Sequence, residues 1–211
     1  VREAIFGLAS RLFGLEFKAN DVIPAYHTEV STWEVYNEDR GLTAILYLDL
    51  PPRKGKSGGA WMTSFREQKI QYDKRIIPLI SIVSNFARPS QTKPSLLTFN
   101  ELTTFLHEFG HALHGMLSQC TYESLAGTNV ARDFVELPSQ FMENWAFEKE
   151  WLDTFATHYK TGEKIPVEMI QKIKDAAAFN EGYACNRQLG FAFLDMAWHT
   201  ISEPFDGEIN D

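Results

Sequence analysis

Hydrophobic positions change their period twice along this chain of 211 residues. Ala4, Ile5, Leu8, Leu12 and Phe13 recur at helical spacing and Gly14 follows as a stop, which predicts a helix over residues 1–14. Thr32 to Asn37 (T-W-E-V-Y-N) alternates with the period of a half-buried strand. Glu38-Asp39-Arg40-Gly41 is a turn signal, and Leu42 to Leu50 (L-T-A-I-L-Y-L-D-L) reads as the hairpin partner. Ile76 to Phe86 is an apolar, β-branched run that predicts a third strand, with Pro78 favouring the sheet edge or the strand's start. Residues 87–97 read as a loop. Helical spacing then returns: Phe99, Leu102, Leu106, Phe109, Leu113 and Leu117 fall within about 80° of arc. Thr98 with Glu101 is a capping-box pattern at the start of that helix. Beyond residue 130 the chain reads as helical, interrupted at Thr161-Gly162 and restarting near Pro166. The expectation is an α+β fold, mainly α with a small β-sheet. Residues 1–97 supply a helix, the sheet and loops, and residues 98–211 supply a helical region of the same domain.

The polar side of the central helix carries chemistry. Residues 107–111 read H-E-F-G-H. On a helix, His107 and His111 lie about 40° apart around the axis and ~6 Å along it, so both imidazoles reach one Zn²⁺. Glu108, about 100° round from His107, can address a water on that ion. These histidines and His114 lie roughly 130° from the centre of the apolar arc. His107 and His114 are ~10.5 Å apart along the axis, too far to share an ion comfortably, which leaves His114 a supporting or structural part. Gly110 costs about 1 kcal/mol relative to alanine inside a helix, a hint that something approaches the backbone there.

A catalytic zinc site needs a third protein ligand and keeps a fourth position for water. A helix starting near Asp133 places Phe134, Leu137, Phe141 and Trp145 on one face and Glu136 on the opposite one, with Gln140 and Glu143 beneath it. Glu136 is therefore a candidate to close the site, with Asp133 and Glu143 as rival carboxylates. Gln140, Glu143 and His114 are candidates for orienting a ligand imidazole.

The segment P-P-R-K-G-K-S-G-G spans residues 51–59. Gly55-Lys56-Ser57 matches the end of a phosphate-binding loop, but Leu50 stands where that motif has glycine, so nucleotide binding is rejected. The segment reads as a solvated basic loop, or as a bare Gly58-Gly59-Ala60 backbone that an extended peptide approaches closely. Gly59 and Ala60 are thus substrate-binding candidates. A net charge of −8 argues against nucleic acid or an anionic membrane as partner. The longest apolar candidate, Ile76 to Val83, is interrupted by Pro78 and Ser81 and falls short of the ~18 residues of a membrane span. Cys120 and Cys185 form neither a disulfide framework nor a C-x-x-C pair, and are expected to be core thiols in a reducing compartment. No signal peptide or initiator methionine begins the sequence, so an internal fragment or processed product, cytoplasmic in location, is expected.

H-E-F-G-H-A-L-H-G, followed by G-T-N-V-x-R-D-F-V-E-x-P-S-Q-x-x-E-N-W, closely resembles the thimet oligopeptidase family of zinc metallopeptidases. The likeness extends through Y-L-D-L-P-P-R-K-G-K-S-G-G-A-W-M and N-R-Q-L-G-F-A-F-L-D-M-A-W-H, about Phe13 to His199, and G-G-A-W-M is closer to the bacterial peptidyl-dipeptidase branch. The resemblance implies a zincin-like catalytic core, part of a larger helical peptidase. It implies one Zn²⁺ held by His107, His111 and Glu136, with Glu108 as the catalytic carboxylate. Short unfolded peptides would be cut internally or shortened by dipeptides from the C-terminus. The family's downstream segment rich in Tyr and Gly, which contacts substrate and oxyanion, has no counterpart after His199, and the family's helical N-terminal half is missing. A non-catalytic zinc-stabilised peptide-binding module, or an inactive piece of a peptidase, is the alternative expectation.

Overall fold

The computed structural model describes residues 1–205 and Gly207. Helix α1 (Arg2–Phe13) ends where expected, at Gly14 in the left-handed region (φ 64°), whose N–H donates to the Ser10 carbonyl. Among the described residues seven strands follow: β1 (Leu15–Ala19), β2 (Ser31–Asn37), β3 (Gly41–Asp49), β4 (Trp61–Arg66), β5 (Lys69–Gln71), β6 (Lys74–Ile76) and β7 (Leu79–Val83). β5 and β6 form a separate two-stranded hairpin, and the others make one sheet in the order β1-β2-β3-β7-β4. Neighbours are antiparallel except β3 and β7, which run parallel. Helices together with this mixed sheet make an α+β fold, as expected.

β7 is not an edge strand. It lies between β3 and β4, and Pro78 sits immediately before it, where the Pro78 carbonyl accepts the Ile45 N–H at 3.1 Å. A proline at the entry of an interior strand costs no ladder donor. β3 is buried on both faces from Thr43 to Asp49. One face joins a cluster of Val30, Ile45 and Tyr47 with Ile23, Leu42, Ile77 and Leu79 around it. The other faces helix α2 (Phe99–Met116), which packs on β7, β4 and β3.

α2 begins at the expected capping box, with the Thr98 hydroxyl accepting the Glu101 N–H and Glu101 accepting the Thr98 N–H. Its buried positions reach well beyond the expected apolar arc. Phe105, Ala112, Met116, Gly110, Gly115 and Glu108 are buried along with Leu102, Leu106, Phe109 and Leu113. Each large apolar side chain so buried contributes about 1.5–3 kcal/mol, against ~1 kcal/mol for the cap. Packing holds this helix and the cap sets its start. Gly115 lets it close on the sheet, since a Cβ there would lie 2.7 Å from Ile80 Cδ1.

After α2 come short elements: α3 (Arg132–Val135), α4 (Leu137–Glu143), a 3-10 turn at Asn144–Phe147 and α5 (Lys149–Leu152). Residues 1–165 form one compact unit, and the described residues from Pro166 onward another. The second unit contains α6 (Val167–Ala177), preceded by Pro166, and α7 (Glu181–His199). Cys185 on α7 is exposed and Cys120 half-buried, so neither is the core thiol expected. Among the described residues no helix is long and apolar enough to cross a membrane.

The loop from β3 to β4 is solvated at Lys54, Gly55 and Ser57 to Gly59, but Arg53 and Lys56 turn inward. Asp49, 1% exposed, accepts both guanidinium nitrogens of Arg53 (2.6 and 2.8 Å), the Lys56 ammonium (2.9 Å) and the Tyr26 hydroxyl (2.8 Å). Lys56 also donates to the carbonyls of Asp49 and Pro51, leaving its side chain 3% exposed. The lysine of the discarded phosphate-loop match is therefore consumed internally.

Candidate metal centre and active site

Where α2 meets α4, three potential ligand atoms converge. Glu136 Oε2 lies 3.1 Å from His111 Nε2 and 3.3 Å from His107 Nε2. Two ligands of a tetrahedral ion with bonds of about 2.0–2.1 Å sit about 3.3 Å apart, so the spacing fits a zinc cage. His107, His111 and Glu136 are the one such group among the described residues. His107 Nδ1 faces Glu143 Oε1 at 2.6 Å. A carboxylate only accepts, so this contact places the proton on Nδ1 and leaves the Nε2 lone pair aimed at the cage. Lone pairs of two imidazoles and a carboxylate facing one point repel unless a cation lies among them.

The segment carrying Glu136 departs from the expected continuous helix. Pro138, lacking an N–H, stands in the first turn of α4, and Glu136 is the hinge residue between α3 and α4 (φ −85°, ψ −5°). The buried face of α4 is Ser139 and Met142, turned toward α2. Phe134, Leu137 and Phe141, placed on one face by their spacing, are 46%, 56% and 52% exposed. Glu136 thus reaches the histidines from a helix junction rather than from the polar face of a long helix.

Glu108 is 8% exposed beside His107. Burial raises its carboxyl pKa above the ordinary value; His107 and the Met62 N–H of β4 partly oppose this, and the Glu136 charge adds to it. Burial also lowers His111, against the pull of Glu136, which keeps the imidazole neutral as a metal ligand requires. Glu136 is lowered, first by the Ser139 hydroxyl at 2.8 Å and then by the two imidazoles, so it stands ionised.

The model for Peptidase family M3 matches residues 1–208. The chain belongs to peptidase family M3. It is 41% identical over 203 residues to the dipeptidyl carboxypeptidase of Salmonella typhimurium, covering 96% of this chain and 30% of that protein. Against oligopeptidase A of Escherichia coli it is 38% identical over 205 residues, again 96% of this chain and 30% of the relative. A probable cytosolic oligopeptidase A of Arabidopsis thaliana is 39% identical over 215 residues, 99% of this chain and 31% of that protein. The chain spans about 30% of the length of the curated relatives it matches.

Among the other residues singled out by sequence, this M3 chain brings some to the centre and leaves others away. Of the three carboxylates weighed, Glu136 joins the histidines, Glu143 bonds His107 from behind, and Asp133 is exposed at the start of α3. The Gln140 side chain is exposed, and its backbone carbonyl accepts from Asn144. His114 sits one turn beyond His111 with Nδ1 buried and unpartnered, its ring 6.1 Å from that of Phe134. It lines a cavity of ≈ 230 Å³ with Gly110, Leu113, Pro138 and Phe141. Gly59, in the left-handed region at φ 88°, and Ala60 lead into β4, with Asn85 donating to the Ser57 and Gly59 carbonyls. Sequence reasoning missed Ser139, Asn85 and the Met62 amide. Ser139 stands three residues after Glu136, a helical neighbour that spacing could have flagged; the other two carry no local signal.

Proposed function

We propose that this chain carries the zinc centre of a peptidase that hydrolyses peptide bonds in short oligopeptides. The observation that carries the reading is the convergence of His107, His111 and Glu136 with Glu108 buried beside them. Bound there, zinc would supply a Lewis acid that polarises a carbonyl and acidifies a water. Glu108 accepts the proton of the attacking water and returns a proton to the leaving amine, a role suited by a carboxyl whose pKa burial has raised. Glu143 holds the His107 ring and its tautomer. His114, unpartnered and off the ligand set, keeps a structural part in the wall behind Gly110.

β4 pairs with β7 alone among the described residues, so its other side offers backbone N–H and C=O groups to an extended chain. Gly59 and Ala60, at its entrance, leave room for a peptide backbone; no side chain lies within 4 Å of where a Gly59 Cβ would stand. Main-chain recognition of this kind accepts many side chains. The relatives named dipeptidyl carboxypeptidase and oligopeptidase A support peptides as the substrate class. A cytoplasmic setting rests on the relative named cytosolic. A purely structural zinc site is closed by four protein ligands, whereas three are grouped here among the described residues.

The test is made in the full-length protein. Glu108→Gln retains zinc and loses about 10²–10⁴-fold in turnover of a quenched peptide, while Glu136→Ala loses zinc. Full activity in the first variant removes Glu108 from proton transfer, and unchanged metal content in the second removes Glu136 from the ligand set.

A further inference from the structure

Resting on the zinc reading above, we propose that Gly110 and Ser139 are positioning residues for the metal centre. The missing side chain of Gly110 sets how close α4 stands to α2, and the Ser139 hydroxyl aims the Glu136 carboxylate at the two imidazoles. A Cβ on Gly110 would lie 2.5 Å from the Pro138 carbonyl oxygen, 2.5 Å from Ser139 Cα and 2.9 Å from the Pro138 carbonyl carbon. These are backbone atoms of the turn that carries Glu136, so no rotamer change relieves the overlap. Ordinary contact begins near 3.4 Å, and α4 would have to withdraw by the difference from 2.5 Å, about 0.9 Å.

That distance matters because Glu136 Oε2 stands only 3.1 and 3.3 Å from its partner nitrogens. A retreat of about 0.9 Å along those lines opens them toward 4 Å, beyond the ~3.3 Å that tetrahedral ligands span. Backbone freedom is not the reason for glycine here. Gly110 lies inside α2 and is not among the residues of positive φ, and alanine is the better helix former. The position gives up helix propensity for space.

Ser139 adds direction to distance. It is 0% exposed, and its Oγ lies 2.8 Å from Glu136 Oε2 and 2.9 Å from the Glu136 carbonyl oxygen. The hydroxyl proton donated to Oε2 holds the same oxygen that faces both histidines. A glutamate side chain has three free torsions, and this bond fixes its last one.

The experiment measures zinc affinity by chelator competition, together with the visible spectrum of the cobalt(II) form. Far-UV circular dichroism of the metal-free protein serves as the folding check. Gly110→Ala is expected to lose about 10–100-fold in zinc affinity, and Ser139→Ala about 10-fold, as for other residues that orient ligands. Both should alter the cobalt absorption, which a change in global stability alone does not move. Gly7→Ala, on α1 where a Cβ meets nothing within 4 Å, should match wild type in both readouts. Zinc affinity and cobalt spectrum unchanged in a folded Gly110→Ala protein overturn the spacing role. If that variant fails to fold, Ser139→Ala, which adds no volume, decides: wild-type affinity and spectrum overturn the proposal. Zinc binding by wild type that survives Glu136→Ala refutes the ligand reading instead, and so separates the two failures.

Discussion

Replacing Glu143 by Gln tests whether the carboxylate behind His107 tunes the metal centre. The contact from His107 Nδ1 to Glu143 Oε1 is 2.6 Å, just short of the ~2.7–2.9 Å of charge-assisted N–H···O hydrogen bonds. Glutamine keeps the shape and an acceptor oxygen but removes the charge that makes the imidazole a better donor to a cation. Losses on removing such partners run about 10–100-fold in metal affinity. The Glu143 side chain is 38% exposed, so solvent screens part of its field. The expectation is the lower end, roughly tenfold, which corresponds to about 1.4 kcal/mol. Glu143→Ala, which abandons the Nδ1 proton to water, should lose more. Competition with a chromophoric chelator at fixed pH and ionic strength reads both. Gln140→Ala is the matched control, since that side chain is exposed one helical turn from Glu136. A change under about twofold in Glu143→Gln, or an equal loss in Gln140→Ala, refutes the reasoning.

Other expectations concern the loop that precedes β4. Asp49→Ala strips the charge from a buried cluster and leaves the Lys56 ammonium with only two carbonyl acceptors, costing about 3 kcal/mol in a urea titration. Adding Lys56→Met should recover at least ~1 kcal/mol of that loss; no recovery would mean the two groups are not coupled. Burial alone would raise the Asp49 pKa, but hydrogen bonds from Arg53, Lys56 and Tyr26 outweigh it and hold the carboxyl well below the usual range. A depressed native pKa contributes stability that is fully present above the unfolded value near ~3.9 and is lost as pH falls toward the native one. Wild type should therefore lose stability below about pH 4 more steeply than Asp49→Asn, and parallel acid titration curves would count against the assignment.

The parts of the fold that follow local rules were legible. α1 with its glycine stop, the β2–β3 hairpin and the capped α2 all stand where periodicity, turn residues and caps put them. β1 was not, because a short strand is defined by its partner: Leu15–Ala19 is a strand through its pairing with β2. The His-Glu-x-x-His pair is a local pattern, and a helix delivers it. Glu136 came from family likeness more than from spacing. The chain breaks at Glu136, between α3 and α4, so the helical wheel of one unbroken helix did not apply. The basic loop misled for a related reason. Arg53 and Lys56 look solvated by composition, but their partner Asp49 is buried at the end of the strand before them.

Lys54 and Lys56 stand two residues apart yet present opposite chemistry to a reagent. Lys54 is exposed, whereas the Lys56 ammonium is held by three oxygens and its side chain is 3% accessible. An acylating probe will modify the first and spare the second for as long as the loop stays shut. Trypsin meets the same barrier at Arg53 and Lys56, whose side chains cannot enter its specificity pocket while they grip Asp49. Appearance of label on Lys56 then clocks the opening of the segment that leads into β4, read by mass spectrometry at a single amine.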